Sequence, residues 1–198
     1  LDHITSVKIL HVFLLKLKLT VMKKIVAFGA SSSKKSINKI LANFAAKQIE
    51  DAEVNLLDLN DFEMPIYSVD YENEFGIPKQ AFKFKKTLSS ADGIIISFAE
   101  HNGAYTAAFK NIFDWISRVE KIVWFNKPMF LLATSDGARG AITVLKMAHD
   151  RISKGGQLDI PSFSLPNFYQ NFDSKVGLID GKMKIEFNAR IKSFSINL

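Results

Sequence analysis

Short apolar runs alternate along this chain with longer stretches in which apolar residues recur every three or four positions. The runs have the length typical of strands and occupy residues 25–28, 54–59, 93–98, 128–133 and 162–165. The stretches between them have the spacing of amphipathic helices, over residues 37–45, 82–91, 108–116 and 142–152, with a weaker fifth over 187–194. This alternation predicts a parallel sheet covered by helices on both faces.

The character of each run indicates where its strand lies in the sheet. Residues 93–98 are apolar almost throughout, as expected of a central strand, whereas residues 54–59 alternate and favour an edge. We predict an α/β fold, a flavodoxin-like, doubly wound five-stranded parallel sheet of order 2-1-3-4-5. Ligands of such sheets bind outside the carboxyl ends of the strands, so we expect the chemistry in the loops after strands one, three and four. The long segment 63–78 is expected to fold over the sheet edge.

Residues 1–21 stand apart from this pattern. Their longest apolar stretch, residues 9–15, is far shorter than the roughly 18 residues of a spanning helix, and no secretory signal is recognisable. We predict that 1–21 is an extension outside the fold and that 22–198 is a single cofactor-binding domain in the cytoplasm, starting at Met22. The alternative for 1–21 is a short amphipathic helix that lies on a membrane or a partner.

Composition narrows the chemistry. The chain has 198 residues, 47% of them hydrophobic, and no cysteine, so disulfides, thiolate metal sites and a thiol nucleophile are excluded and redox chemistry must come from a cofactor. The 26 basic and 20 acidic residues give a formal charge of +6 that is spread along the chain. We therefore expect no nucleic-acid or membrane partner.

The loop after strand one combines hydroxyls, lysines and the free amides of a helix N-terminus. These groups suit a phosphate, and the candidates are Ser31, Ser33, Lys35, Ser36 and Asn38. The motifs G-x-x-x-x-G-K-[ST] and G-x-G-x-x-G are both absent, which disfavours a nucleoside triphosphatase and an ordinary dinucleotide fold. In this sheet order a monophosphate such as that of FMN is expected. The alternative is that Ser36 merely caps the helix.

The loop after strand three turns at Asn102-Gly103 and enters an aromatic helix. Backbone groups from Glu100 to Gly103 can pair with the edge of a flat heterocycle, and His101 or Tyr105 can flank its face. The candidates here are Glu100, His101, Asn102 and Gly103. A loop histidine without a role is the alternative for His101, and the aromatic residues of the helix favour a core or a subunit interface.

The loop after strand four combines two glycines, which let a backbone approach a ligand, with a hydroxyl and a guanidinium. The candidates in this loop are Ser135, Gly137, Arg139 and Gly140. The alternative is a helix cap in which Arg139 pairs with a surface carboxylate.

Several motifs in the expected order resemble the NADPH-dependent FMN reductase family, which includes quinone, azo-dye and chromate reductases. The first loop is similar to G-S-x-R-x-x-S-x-N, the second to P-E-Y-N-G-S followed by K-N-x-x-D-W, and residues 64–70 to L-P-x-Y-x-x-D. The resemblance covers about residues 22–172. The chain departs from the family at four positions of these motifs, which are Ala30, Ser33, Ala99 and His101.

The resemblance implies an FMN-dependent oxidoreductase that takes hydride from NADPH or NADH and passes electrons by a ping-pong scheme to FMN, a quinone, an azo compound or a similar small acceptor. It implies a flavin contact for the loop after strand four. It also implies a homodimer or homotetramer, for which apolar residues of the 105–115 helix and Trp124 are candidates. The cofactor supplies the electronics, so no catalytic side chain is predicted. Two alternatives stay open: a flavodoxin-type electron carrier without NAD(P)H turnover, and a homologue that no longer binds flavin.

Overall fold

The computed structural model describes residues 22–154 and 159–198, and among these the main sheet has five parallel strands in the order β2-β1-β3-β6-β7. These strands are β1 Lys23–Ala30, β2 Ala52–Leu57, β3 Gly93–Phe98, β6 Met129–Thr134 and β7 Ser162–Leu165. Counted within the sheet, this is the order 2-1-3-4-5, so the predicted flavodoxin-like fold is confirmed. The predicted extension 1–21 lies outside the described residues.

Helices connect the strands and cover both faces of the sheet. They are α1 Ile37–Ala46, α2 Val69–Phe75, α3 Lys79–Ser89, α4 Ala107–Val119, α5 Ile142–Ser153, α6 Phe168–Asn171 and α7 Gly181–Ile196, with a 3₁₀ helix at Leu59–Phe62. Two small antiparallel hairpins complete the described part, β4 Glu100–His101 with β5 Ala104–Tyr105 and β8 Phe172–Asp173 with β9 Gly177–Leu178. None of the described helices is long and apolar enough to cross a membrane.

The sheet separates two apolar cores. One face packs against α1, α6 and α7, and the other packs against α3, α4 and α5. All six residues of β3 are buried, as predicted for a central strand, while β2 at the edge alternates between half-buried and exposed positions over most of its length. The parallel register pairs Ala30 with Phe98 and Thr134 with Leu165. The loops that follow these strands therefore start from one edge of the sheet.

The segment 63–78 contains α2 and is held by α4. Asn111 Nδ2 donates to the carbonyls of Met64 and Pro65 at 3.1 and 3.0 Å, and Asn111 Oδ1 accepts from Tyr67 N at 2.9 Å. Trp115, which is fully buried, donates from Nε1 to Pro65 O at 2.7 Å. Asn111 and Trp115 of the K-N-x-x-D-W motif therefore hold this segment, while Lys110 and Asp114 pair with each other on the surface of α4.

The aromatic residues proposed for a subunit interface lie inside the protomer. Phe109, Phe113, Trp115 and Trp124 are each at least nine-tenths buried against the α3–α4–α5 face of the sheet. They are core residues, because burial within the protomer leaves almost none of their surface for a second subunit.

Candidate cofactor site

A cleft of about 250 Å³ opens at the edge where β1, β3, β6 and β7 end. Its lining comes from the end of β6 and from the four segments that follow these strands, including the starts of α1 and α6. The lining residues are Ser31, Ser33, Lys35, Ser36, Ile37, Asn38, Ala99, Glu100, His101, Thr134, Ser135, Asp136 and Tyr169. This is the position expected for a ligand of a doubly wound sheet.

The loop after β1 forms a compact turn ahead of α1. Ser33 N donates to Ser31 Oγ at 3.1 Å, and Ser36 N donates to Ser33 O at 3.1 Å. Ser36 is the N-cap of α1, since its Oγ accepts a hydrogen bond from Lys39 N at 3.1 Å. Ser36 thus caps the helix, as the alternative expected, and it lines the cleft as well.

The first turn of α1 faces the cleft with unsatisfied donors. The N–H groups of Ile37 and Asn38 have no acceptor among the described residues, as is usual for the first positions of a helix. Together with the Lys35 side chain they present positive potential to this end of the cleft. These groups fit a phosphate monoester, because such an anion accepts several hydrogen bonds at once.

Gly29 brings α1 close to the sheet. A Cβ at this position would lie 2.4 Å from Lys39 N and 2.8 Å from Lys39 Cα. The absence of a side chain at the end of β1 is therefore what allows the start of α1 to sit directly over the strand. The free N–H groups of α1 owe their place beside the cleft to this contact.

Asn38 joins three elements beneath the cleft. Its Nδ2 donates to Thr134 O at 3.0 Å, while its Oδ1 accepts from Thr134 N at 3.1 Å and from Ser97 Oγ at 2.7 Å. The side chain is 2% exposed. Although it lines the cleft, most of its hydrogen-bonding capacity holds β3, β6 and α1 together.

The loop after β3 is a tight hairpin. Asn102 and Gly103 both have positive φ, 52° and 76°, which is the backbone of a type I′ turn between β4 and β5. The hairpin carries Ala99, Glu100 and His101 to the cleft, whereas Asn102 and Gly103 at its tip are not among the lining residues. The predicted turn is confirmed, and Asn102 and Gly103 determine the conformation of the loop without lining the cleft.

Glu100 caps a helix from a distance. Its Oε2 accepts a hydrogen bond from Val144 N at 3.0 Å, in the first turn of α5. The N-cap of α5 is Ala141, which has φ 57° and no side chain that can cap. Glu100 supplies the missing acceptor, and its negative charge interacts favourably with the positive end of the α5 helix dipole. This bond ties the hairpin to α5.

Tyr105 does not flank the cleft. Its ring packs in the core, with centroids 5.1 Å from Phe109 and 5.7 Å from Phe98. Burial raises the pKa of Tyr105 to about 12, and the charge of Arg151 offsets part of that effect. Of the two side chains considered for a ring contact, His101 lines the cleft, whereas Tyr105 is half-buried and packs against the core outside the cleft.

The loop after β6 is tied to the loop after β7. Gly137 O accepts from Asn167 N, and Ser135 O accepts from Phe168 N, both at 3.0 Å. Gly140 has φ 56°, and a Cβ there would meet Ser164 Oγ at 2.5 Å, so this glycine serves the packing of the two loops. The predicted position of the loop at the cleft is matched by Ser135 and its neighbours.

Arg139 turns away from the cleft. Its guanidinium donates to Thr143 Oγ1 at 2.5 Å on the surface of α5. The alternative expected a surface carboxylate as the partner of Arg139, and the partner is instead a hydroxyl.

Among the described residues, the cleft lining includes eight of the thirteen predicted site residues, Ser31, Ser33, Lys35, Ser36, Asn38, Glu100, His101 and Ser135. It omits Asn102, Gly103, Gly137, Arg139 and Gly140.

Sequence reasoning missed the contribution of the fifth strand. Tyr169 follows β7 on α6 and lines the cleft with 73% of its surface exposed. The same rule that selected the other loops, that ligands lie beyond the carboxyl ends of parallel strands, applies to this strand too and would have selected Tyr169. The other lining residues that were not predicted each stand next to a predicted residue in the sequence; they are Ile37, Ala99, Thr134 and Asp136.

The fold and the cleft together define a flavodoxin-like α/β protein with a cleft at the carboxyl ends of its parallel strands. The chain belongs to the NADPH-dependent FMN reductase family, whose sequence model matches residues 23–170. The resemblance drawn from the motifs is therefore confirmed.

Individual proteins show the same relationship. The chain is 34% identical over 152 residues to a 2-hydroxy-1,4-benzoquinone reductase from a Burkholderia species, covering 76% of this chain and 79% of the relative. It is 30% identical over 159 residues to an NADPH azoreductase from Bacillus sp. (strain OY1-2), covering 80% and 77%. A flavoenzyme NAD(P)H:(acceptor) oxidoreductase from Paracoccus denitrificans superposes with a TM-score of 0.69 at 22% identity, covering 88% of this chain and 96% of that one. The last likeness concerns the fold.

Proposed function

We propose that this protein is an FMN-dependent NAD(P)H oxidoreductase that reduces small acceptors such as quinones and azo compounds. One observation carries the proposal: the amides of the α1 N-terminus and the hairpin at residues 99–101 line one continuous cleft. A single flavin mononucleotide can therefore reach an anion seat at one end and backbone groups for its ring at the other. Family membership and the names of the relatives support the same chemistry.

The phosphate end is assigned to Ser31, Ser33, Lys35 and Ser36, with the N–H groups that begin α1. Neither carboxylate of the cleft belongs to this loop, since Glu100 and Asp136 come from the loops after β3 and β6. Lys35 takes the role of the arginine that the family motif has two residues earlier, where this chain has Ser33. An ammonium neutralises the anion without a bidentate grip.

The ring end is assigned to the hairpin and the loop after β6. Bound FMN would supply the two-electron carrier between the nicotinamide and the acceptor. The chain contributes position: Glu100 holds the hairpin against α5, and Ser135 is held by the loop after β7. His101 borders the same region, where it can limit the access of water and acceptor to the ring.

The proposal extends to domain organisation and assembly. We infer that residues 22–198 form one FMN-binding domain, because β1 begins at Lys23 and the C-terminal helix α7 packs on the same sheet. A homodimer or homotetramer would use surface other than the buried aromatic residues of α4.

The experiment is the visible absorption spectrum of the purified protein before and after NADPH, followed by turnover with the naphthoquinone menadione under FMN saturation. The proposal predicts a flavin band that bleaches with NADPH and returns with the quinone. A flavin band without NADPH oxidation would instead identify an electron carrier, and colourless protein that does not bind added FMN would identify a flavin-free homologue.

Lys35→Gln should weaken FMN binding about tenfold, as measured by FMN titration, because it removes the positive charge at the phosphate end of the cleft. Lys34→Gln is its matched control, because Lys34 does not line the cleft.

A further inference from the structure

Tyr169 is an exposed aromatic residue held in a fixed position at the cleft. It is 73% exposed, and its ring stands edge-on to Phe168, with centroids 5.5 Å apart and an interplanar angle of 86°. Among the described residues its hydroxyl has no hydrogen-bond partner. The side chain therefore adds little to the packing of the protomer, although its backbone is well anchored.

The anchoring comes from the residues on either side. Phe168 is 4% exposed and stacks on Phe172 with centroids 4.9 Å apart, while its N–H donates to Ser135 O at 3.0 Å. Asn171 Nδ2 donates to Pro166 O at 2.9 Å and closes the short turn. The buried Phe168 ring, its stacking on Phe172 and these hydrogen bonds hold the backbone of Tyr169 in place at the cleft. The backbone therefore loses little conformational entropy when a ligand binds.

The packing shows which end of the cleft Tyr169 serves. Phe168 and α1 belong to the same apolar core on one face of the sheet, and Ile37 at the start of α1 also packs there. The hairpin is tied instead to α5, whose Val144 belongs to the opposite core. The bond from Phe168 N reaches Ser135, and the preceding residue, Thr134, is bonded to Asn38 in the first turn of α1. Tyr169 therefore joins the cleft where the loop after β6 begins, beside the α1 N-terminus.

We propose that the Tyr169 hydroxyl donates a hydrogen bond to the phosphate of FMN and so completes the anion seat from the fifth strand. The inference rests on the proposed function, since it concerns the same cleft. A phenol O–H that donates to an anionic oxygen forms a charge-assisted bond, and an unpaired hydroxyl on a fixed backbone is suited to it. The seat then combines backbone amides, serine hydroxyls, one ammonium and one phenol.

The test compares two flavins that differ only in the phosphate. FMN and riboflavin are titrated into wild-type protein, Tyr169→Phe and Tyr169→Ala, and binding is followed by the quenching of flavin fluorescence. Tyr169→Phe should weaken FMN binding about tenfold and leave riboflavin binding within about twofold, because it removes one hydrogen bond to a charged group. Tyr71→Phe is the matched control, since it removes a hydroxyl from α2, outside the cleft lining. Thermal unfolding of each variant verifies that the fold is retained.

The outcomes separate this inference from the proposed function. Wild-type protein that binds neither flavin contradicts the proposed function itself. Wild-type and Tyr169→Phe proteins that bind FMN equally well overturn the inference and leave the proposed function standing. Two other outcomes also overturn the inference. In one, Tyr169→Phe loses FMN and riboflavin affinity equally; in the other, both affinities fall only in Tyr169→Ala. Either outcome would show that the Tyr169 ring contacts the flavin with no link to the phosphate.

Discussion

The Asn38 side chain forms most of its possible hydrogen bonds with other groups of the protein. Its amide holds the N–H and the carbonyl of Thr134 and accepts from the Ser97 hydroxyl, at the junction of α1, β3 and β6. The family motif S-x-N therefore ends on a residue that shapes the cleft from below. Its neighbours Lys35 and Ser36 line the cleft, and they are the residues that we assign to the phosphate.

Replacing Asn38 by alanine should lower the free energy of unfolding by about 2 to 3 kcal/mol, because buried groups of Thr134 and Ser97 lose their partners. Urea denaturation of the flavin-free protein measures this loss. Asn43→Ala on the same helix is the control and should change stability little, since Asn43 is half-buried and its side chain makes no hydrogen bond among the described residues. Equal effects of the two substitutions would contradict the assigned role of Asn38.

Tyr105 provides a pH-dependent signature of the core around α4. Its pKa is 10.0 in the unfolded chain and about 12 in the folded protein, because burial disfavours the phenolate. Below pH 10 the phenol is protonated in both states. Between the two values the unfolded chain releases the proton while the folded protein keeps it, so stability falls as pH rises.

We therefore expect the stability of wild-type protein to fall relative to that of Tyr105→Phe as pH rises from 10 toward 12. Urea denaturation at a series of alkaline pH values measures the difference, and below pH 10 it should be constant. Parallel curves for the two proteins across the alkaline range would show that the phenol titrates alike in both states.

At the scale of elements, the site depends on how closely α1 approaches β1. The helix begins directly over the strand because Gly29 has no side chain, and the Thr106 hydroxyl fixes the start of α4 by donating to Ala30 O at 2.9 Å. Two helices thus start at fixed positions beside the end of one strand. The hairpin before α4 inherits its position from this contact and from the bond between Glu100 and α5.

Gly29→Ala should lower the free energy of unfolding by about 1 to 3 kcal/mol and weaken FMN binding, because the added methyl would force α1 and its free N–H groups away from the cleft. Chemical denaturation and FMN titration measure the two effects. Gly181→Ala is the control, since a Cβ there meets nothing within 4 Å at the start of α7. Retention of wild-type stability and affinity in Gly29→Ala would show that α1 is not held by this contact.

For the whole molecule, the cleft brings four loops together, so a ligand that contacts all of them should stabilise the fold against unfolding. FMN at about 100 times its Kd adds about 2.7 kcal/mol, which corresponds to a rise in Tm of about 5 to 11 °C for a chain of this size. A thermal melt with and without FMN measures it. Riboflavin at the same concentration should give a smaller rise, and an equal rise would mean that the phosphate contributes nothing to binding.

Much of the architecture could be predicted because it depends on local periodicity. The run 93–98 is apolar enough to be buried on both faces, and the alternation of residues 54–59 suits a strand with one neighbour. The hairpin turn was predictable from Asn102-Gly103, since few other dipeptides adopt positive φ at both positions. The α1 cap was predictable from Ser36 for the same kind of local reason.

The direction of each side chain at the cleft was decided by tertiary contacts. Glu100 meets Val144, Asn38 meets Thr134, and Tyr169 reaches the cleft through Phe168 and Ser135, all of them pairs far apart in the chain. No local pattern contains the distance between such residues. Arg139 looked suited to an anion and instead bonds Thr143, four residues later on the surface of α5.

The sequence by itself therefore determined the five strands of the main sheet, the principal helices, three of the four loops at the cleft and the family, because each depends on residue types at short and regular spacing. Only the tertiary structure decided which of those loop residues line the cleft and which hold the loops in place. The physical reason is that a polar side chain bonds whichever partner the packing brings within about 3 Å, and that partner comes from another element.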